Sequence, residues 1–476
     1  MQHAHLHGLQ SQHLQLLIVD EGPLLSSAAS GLTGELRAAA LQAALHVAGR
    51  LKDPRAAERA AERAATQSQF PDFSHWSPPG IAQGNAGLAL LWAYMDSCFP
   101  GDDWDVVGRT HLEEAVRSAD LESSVGTGLF SGLSGLAFAG WQLSRAAVRY
   151  RRMLTSLDEV IAAEAIALAS RVRASNGLSV GDFDVISGLS GIGAYLLCRR
   201  REPAIGIALA DVVDALTTHV LRDQTPPAWY TPPDLLYDDA TRKMFPNGNL
   251  NCGLAHGIPG VLAFLSLVRL SRLSFDRLDD ALVVIADWIS AHRQDDVWGV
   301  NWPTAVHLEE VRDTENRMVL RPGDPAVAPG GPSRAAWCYG SPGVARALWL
   351  AGRALDRNEY RSLAIAAMEA VFRRPIHARM IDSPTFCHGV SGLLAITMRF
   401  AADTHLPVFI DESQRLVEQL MQNFQPDSLL GFRNIEYGGN QTDQPGLLDG
   451  AAGVALVLLA ASSGIEPTWD RIFLLS

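Results

Sequence analysis

Two cysteines and a histidine carry the densest chemistry in this sequence. In "WCYGSPG", Cys338 stands two residues before Gly340; in "FCHGVSG", Cys387 and His388 stand directly before Gly389. Two thiolates and one imidazole form a donor set suited to zinc, which takes sulfur and nitrogen ligands in a tetrahedral site. Three protein ligands leave one position open, as in a catalytic rather than a structural centre. The adjacent Cys387 and His388 fit a loop, because neighbours on a helix point about 100° apart. Two more polar residues precede glycines. His256 lies directly before Gly257 in "GLAHGIPG", and Asp184 lies four residues before Gly188 in "DFDVISGLSG". An imidazole titrates near neutral pH and can carry a proton, and a carboxylate can orient it. Taken singly, each has a blander reading: buried cysteines as small hydrophobes, His256 as a hydrogen-bonded core histidine, Asp184 as a helix cap.

The case for chemistry rests on what brings these residues together. The G-x-x-G spacing occurs seven times: Gly84/Gly87, Gly132/Gly135, Gly188/Gly191, Gly257/Gly260, Gly340/Gly343, Gly389/Gly392 and Gly450/Gly453. Successive copies are 48, 56, 69, 83, 49 and 61 residues apart, intervals that suit a helical hairpin plus loops. Each copy runs into an apolar stretch such as "VLAFLSLV" or "VALVLLAA", which describes a helix buried on most sides. Between them lie amphipathic segments. In "FDRLDDALVVIADWISAHR", Leu278, Leu282, Ile285 and Ile289 recur at helical spacing. Each repeat is expected to be one outer amphipathic helix and one inner buried helix, with G-x-x-G at the N-terminus of the inner one. Seven such hairpins closing into a ring would hide the inner faces, which an open solenoid would expose. The glycines are then expected to let helix N-termini converge on the axis. In such a ring the residues before the glycines meet at one end.

Composition narrows the rest. The net charge of −13 over 476 residues argues against a nucleic-acid binder, which would carry a basic face. No apolar run reaches the roughly 20 residues that span a bilayer, and no secretory signal pattern opens the chain. The five cysteines show no disulfide-scaffold spacing. Cys252, Cys98 and Cys198 read as packing residues. A reduced, cytoplasmic protein is expected. The histidines His3, His5, His7 and His13 fall in a polar tail over residues 1–25, ahead of a repeat domain over 26–476. Pro-, Gly- and Trp-rich insertions near 222–250 and 298–336 are expected to form loops or a short hairpin at the ring's mouth.

"GLAHGIPG", "WCYGSPG" and "CHGVSG", in that order among seven glycine motifs, resemble the lanthionine synthetase C-like family. Its cyclases close thioether rings in ribosomally made peptides. The resemblance implies an all-α fold, an α,α-toroid of seven helical hairpins with a central zinc. It implies that Cys338, Cys387 and His388 bind one Zn²⁺ per chain, and that His256 and Asp184 move a proton. Arg334, four residues before Cys338, matches an active-site arginine of the family. Some stand-alone members carry an accessory domain among the early helices; the intervals of 48 and 56 residues leave no room for it.

The implied reaction agrees with the residues. A free thiol is mostly protonated at neutral pH, its reference pKa being about 8.5. A coordinating thiol is deprotonated. It can add to the β-carbon of a dehydroalanine or dehydrobutyrine in the same peptide, after which the α-carbon needs a proton. The resemblance further implies a dehydrated precursor peptide with a leader as substrate, a separate dehydratase, an export transporter, and membrane association only through such partners. Rival readings are a zinc-containing peptide-binding scaffold and a family member that forms adducts with a thiol of the glutathione type. Toroids with glycoside or diphosphate chemistry need paired carboxylates or acidic clusters. Asp238 and Asp239 in "DLLYDDATRK" have no partner cluster in the sequence.

Overall fold

The computed structural model describes residue 32 and residues 34–71, 75–121, 125–145, 148–329 and 333–476. The expected tail, with His3, His5, His7 and His13, lies outside them. In chain order the helices are α1 (Gly34–Leu51), α2 (Pro54–Gln67), α3 (Asn85–Cys98), α4 (Trp104–Leu121), α5 (Leu133–Leu143) and α6 (Arg151–Ala174). Next come α7 (Val180–Phe183), α8 (Leu189–Arg199), α9 (Pro203–Val220), α10 (Asp239–Met244), α11 (Ile258–Leu270) and α12 (Leu278–Ala291). The last are α13 (Ser341–Ala354), α14 (Asn358–Arg373), α15 (Val390–Thr404), α16 (Pro407–Gln422) and α17 (Ala451–Ser463).

Seven of these, α3, α5, α8, α11, α13, α15 and α17, start at the glycine motifs, and the first glycine of each motif is the N-cap. They form the inner ring. Their apolarity on every side matches their burial: in α17 nearly every residue from Ala451 to Ser462 is buried. The outer helices bury one stripe. In α12 that stripe includes Leu278, Leu282, Ile285 and Ile289. Each inner helix packs on the outer helix that follows it, except α17, which packs on α1 from the other end of the chain. α17 also packs on α3, so the ring closes. α9 is apolar and long enough to cross a bilayer by composition, but 56% of that stretch is buried and it packs on α6, α8 and α12.

Closure is also written in the backbone. The residue two positions before each first glycine bonds to its equivalent in the next repeat. Ala82 N–H donates to Phe130 O, Phe130 to Ile186, Ala255 to Cys338, Cys338 to Cys387, Cys387 to Leu448, and Leu448 back to Ala82. Between the third and fourth repeats the donor is Val185, one residue earlier, to Ala255 O. This circuit satisfies loop amides that would otherwise be buried and unpaired.

The glycines serve a different contact from the one expected. The second glycine of each motif packs on the carbonyl six residues earlier in its own repeat, and on a side chain of the preceding repeat. A Cβ on Gly191 would sit 2.0 Å from Val185 O and 3.0 Å from Leu129 Cβ; on Gly453, 2.0 Å from Leu447 O and 3.4 Å from Phe386 Cβ. The crowding therefore comes from the incoming loop folding back over the first helical turn, not from helix ends meeting on the axis. Gly340 is also held at φ +95°, which favours glycine. Gly191→Ala is expected to cost about 3 kcal/mol of stability in denaturant unfolding, because backbone must move. Gly49→Ala, on an exposed turn of α1 with nothing within 4 Å, should instead gain about 0.5–1 kcal/mol.

The axis is filled. The C-terminal 3-10 turn Thr468–Phe473 turns Trp469 and Phe473 into the ring. Phe473 stacks on Phe386 with centroids 3.7 Å apart, and its carbonyl accepts from Trp337 Nε1 at 3.0 Å. The insertions carry β-structure. β1 (Asn249–Asn251) pairs with β2 (Ala305–Arg312), which forms an antiparallel hairpin with β3 (Met318–Pro322). A second small pair joins β4 (Asn434–Ile435) and β5 (Gln441–Thr442).

Candidate metal centre and active site

The circuit of loop bonds puts Cys338 and Cys387 side by side. They hold the same position in neighbouring repeats, and Cys338 N–H donates to Cys387 O at 3.3 Å. Cys338 Sγ, Cys387 Sγ and a His388 ring nitrogen all lie within 4.8 Å of one another. Cys338 is buried, and Cys387 and His388 are half-buried. Both thiols are free, and they face each other in hydrogen-bonding contact. That contact, helped by the Arg334 charge, holds Cys338 below the ordinary thiol range, and the same contact pushes Cys387 well above it.

In the two preceding repeats of the ring, Asp184 and His256 meet. Asp184 is 2% exposed. Its Oδ1 accepts from the backbone N–H of Ser187 (2.7 Å) and Gly188 (2.8 Å), and its Oδ2 lies 2.7 Å from His256 Nδ1. The carboxylate thus does both things the sequence allowed: it caps the approach to α8 and fixes a histidine ring. Its backbone bonds make it a rigid anchor. The described residues offer His256 Nε2 no hydrogen bond, and the side chain is 36% exposed, so that nitrogen is free to meet a ligand.

Between the two pairs stands Tyr339, absent from the sequence reading. Its hydroxyl accepts from Asn251 Nδ2 at 3.1 Å, and its ring lies 6.3 Å from that of His256. Burial pushes its phenol up to about 12. Asp449 was also missed. Its Oδ1 is buried without a hydrogen-bond partner, 3.6 Å from His388 Nδ1, and burial raises its carboxyl. The signal for both was present: like His256 and His388, each is the residue directly before a first glycine. Arg334 is exposed and makes no ion pair among the described residues; its charge reaches Cys338 and Cys387 rather than bonding Asp184. Cys252 is 2% exposed, and burial pushes its thiol up to about 12, so it packs rather than reacts. Cys98 and Cys198 are likewise raised by burial. Asp238 caps α10 by accepting from Thr241 N, a structural use for that acidic pair.

The lanthionine synthetase C-like protein family model matches residues 75–474. The chain belongs to that family. The matched span contains all seven glycine motifs and every site residue named above. It begins after α1 and α2, so the closing contact of α1 with α17 comes from the structure. Among curated relatives, the nisin biosynthesis protein NisC of Lactococcus lactis subsp. lactis is 26% identical over 400 residues, covering 83% of this chain and 88% of that protein. Among solved structures, nisin cyclase superposes with a TM-score of 0.69 at 23% identity, covering 88% of this chain and 97% of that one. At that identity the structural likeness is one of fold, and the fold is the family's α,α-toroid.

Proposed function

We propose that this protein is a lanthipeptide cyclase: it closes thioether rings by adding peptide cysteine thiols to dehydroalanine or dehydrobutyrine in the same chain. The observation that carries the proposal is the meeting of Cys338, Cys387 and His388 at one end of the ring, beside the Asp184–His256 pair. The curated relative's role in nisin biosynthesis supports the peptide substrate class.

The donor set fits one zinc ion. A tetrahedral site with Zn–S of about 2.3 Å and Zn–N of about 2.0 Å puts ligand atoms roughly 3.5–3.8 Å apart. The three atoms already lie within 4.8 Å, so small side-chain rotations complete the set. Zinc held by these residues would lower the pKa of a coordinating substrate thiol and keep its sulfur nucleophilic at neutral pH. Cys338 and Cys387 bring two negative charges, which preserve electron density on that sulfur. Addition forms an S–Cβ bond and leaves an enolate. His256 supplies the proton to Cα from Nε2, while Asp184 holds Nδ1–H and steadies the imidazolium. Tyr339 and Arg334 flank the path, Arg334 with the positive charge an enolate oxygen requires. The thiol proton and the α-proton balance, so the peptide's mass is unchanged and neither a nucleotide nor a redox carrier takes part.

Asp449 completes the centre from behind His388, the usual place for a carboxylate that orients a ligand histidine. Asp449→Asn is expected to weaken zinc binding about 10–100-fold in chelator competition while leaving thermal unfolding of the metal-free protein unchanged. The chemistry calls for a separate dehydratase to supply the alkene, an export step downstream, and a cytoplasmic setting that keeps the thiols reduced. The direct test incubates the zinc-loaded protein with a dehydrated Cys-containing precursor and counts free thiols by alkylation and mass spectrometry. Thiols disappear at constant unalkylated mass if the protein is a cyclase. Bound peptide with persistent thiols would make it a scaffold.

A further inference from the structure

A cavity lies at the other end of the ring, at the C-terminal ends of α8, α11 and α13. Its volume is about 740 Å³, within the range of small-molecule pockets. Six arginines line it against one acidic side chain, Glu466. In a chain whose net charge is −13, this is a local reversal of sign. Leu197 and Leu270, both half-buried, and the edge of Leu267 give it an apolar surface.

Arg200 donates to Leu197 O at 3.0 Å; the other five arginines fall into two groups. Arg346 and Arg399 are buried and neutralised: Arg346 bonds Asp403 at 2.6 Å, and Arg399 bonds Asp470 at 2.5 Å and also pairs with Glu466. Arg353 shares Asp403 at 3.3 Å. These build the wall. Arg272 and Arg471 are exposed and make no ion pair among the described residues. Basic residues at helix C-termini complement the helix dipole, which accounts for Arg272 just beyond α11. It accounts neither for Arg471, on the C-terminal 3-10 turn, nor for an open space with an apolar lining beneath both.

We infer that this cavity binds a small amphipathic anion: a phosphate or carboxylate held by Arg272 and Arg471, with an apolar body against Leu197, Leu267 and Leu270. Guanidinium forks suit such oxyanions through paired charge-assisted hydrogen bonds. The wall arginines are matched by Asp403, Asp470 and Glu466, so the charge offered to an anion is that of Arg272 and Arg471. The cavity opens away from the Cys338–Cys387–His388 end, so the anion binds without occupying the peptide site.

The test uses the zinc-loaded full chain and three probes below micelle-forming concentration: decyl phosphate, inorganic phosphate and decanol. Calorimetric titration is expected to show decyl phosphate binding at least about tenfold tighter than either of the others, since each lacks one half of the recognition. Arg272→Ala/Arg471→Ala should weaken decyl phosphate by about tenfold or more, and raised salt should weaken the wild type in the same direction. Both substitutions are on exposed side chains, so thermal unfolding and zinc content serve as folding controls. Phosphate binding as tightly as decyl phosphate would assign the site to a free anion and overturn the amphiphile. Decanol binding as tightly, an unaffected double variant, or no binding at about millimolar probe would overturn the site itself.

Discussion

Cys387→Ala is expected to empty the metal centre and stop ring closure. Zinc content should fall from one per chain to near zero, and thiol loss from the dehydrated peptide should slow by about 10³-fold or more, since a bound ion contributes several kcal/mol of barrier lowering. The loss should be chemical rather than structural. The loop circuit at this position uses the backbone N–H and carbonyl of residue 387, which alanine retains. The side chain removed is a single half-buried sulfur. Thermal unfolding of the metal-free variant should therefore match that of metal-stripped wild type. Cys98→Ala, at a thiol raised by burial and remote from the set, is the control and should keep full zinc. If the Cys387 variant binds zinc as the wild type does, Cys338, Cys387 and His388 are not the ligand set.

His256→Asn should separate proton transfer from metal binding. The asparagine amide can still donate to Asp184 Oδ2, where Nδ1 sits at 2.7 Å in the wild type, so the buried carboxylate keeps a partner and the fold is retained. The Nε2 that faces the open side is lost. Ring closure is expected to fall about 10²–10⁴-fold, the usual worth of a positioned acid or base, with zinc content unchanged. The loss should appear in kcat more than in KM, because His256 acts on a proton transferred only during reaction. Asp184→Asn gives an intermediate outcome: the ring keeps its place but loses the charge that steadies imidazolium. An unimpaired His256 variant would leave this histidine a structural role and move proton delivery to Tyr339 or to water.

The repeat was legible because the glycines have a strict spatial duty. A side chain at Gly191 or Gly453 would meet a backbone carbonyl at 2.0 Å, so the motif survives at every inner helix and marks its start. Once seven copies are aligned, Cys338 and Cys387 fall in one register and His256 and His388 in another. The meeting of Cys338, Cys387 and His388 then follows from the ring alone. Tyr339 and Asp449 stand in the second register too. They were passed over because a tyrosine or an aspartate before a glycine has no chemistry until a partner is beside it: His256 for one, His388 for the other.

By itself, then, the sequence determined a seven-hairpin helical ring, the set of metal-type side chains, and the end of the ring where they gather, since all three follow from periodicity and side-chain type. Tertiary structure alone decided the rest. Whether Asp184 capped a helix or held His256 depended on two oxygens pointing in different directions, and it does both. Arg334, which the sequence marked only by resemblance, lies exposed with its charge toward the thiols. The closing partner of α17 is α1, hundreds of residues away, and the axis is filled by Phe473 from a short segment with no repeat signature. The insertion strands β1 and β2 pair across more than fifty residues. Such contacts depend on long-range packing, which no local pattern encodes, because the side chains involved gain their burial only after the ring has closed.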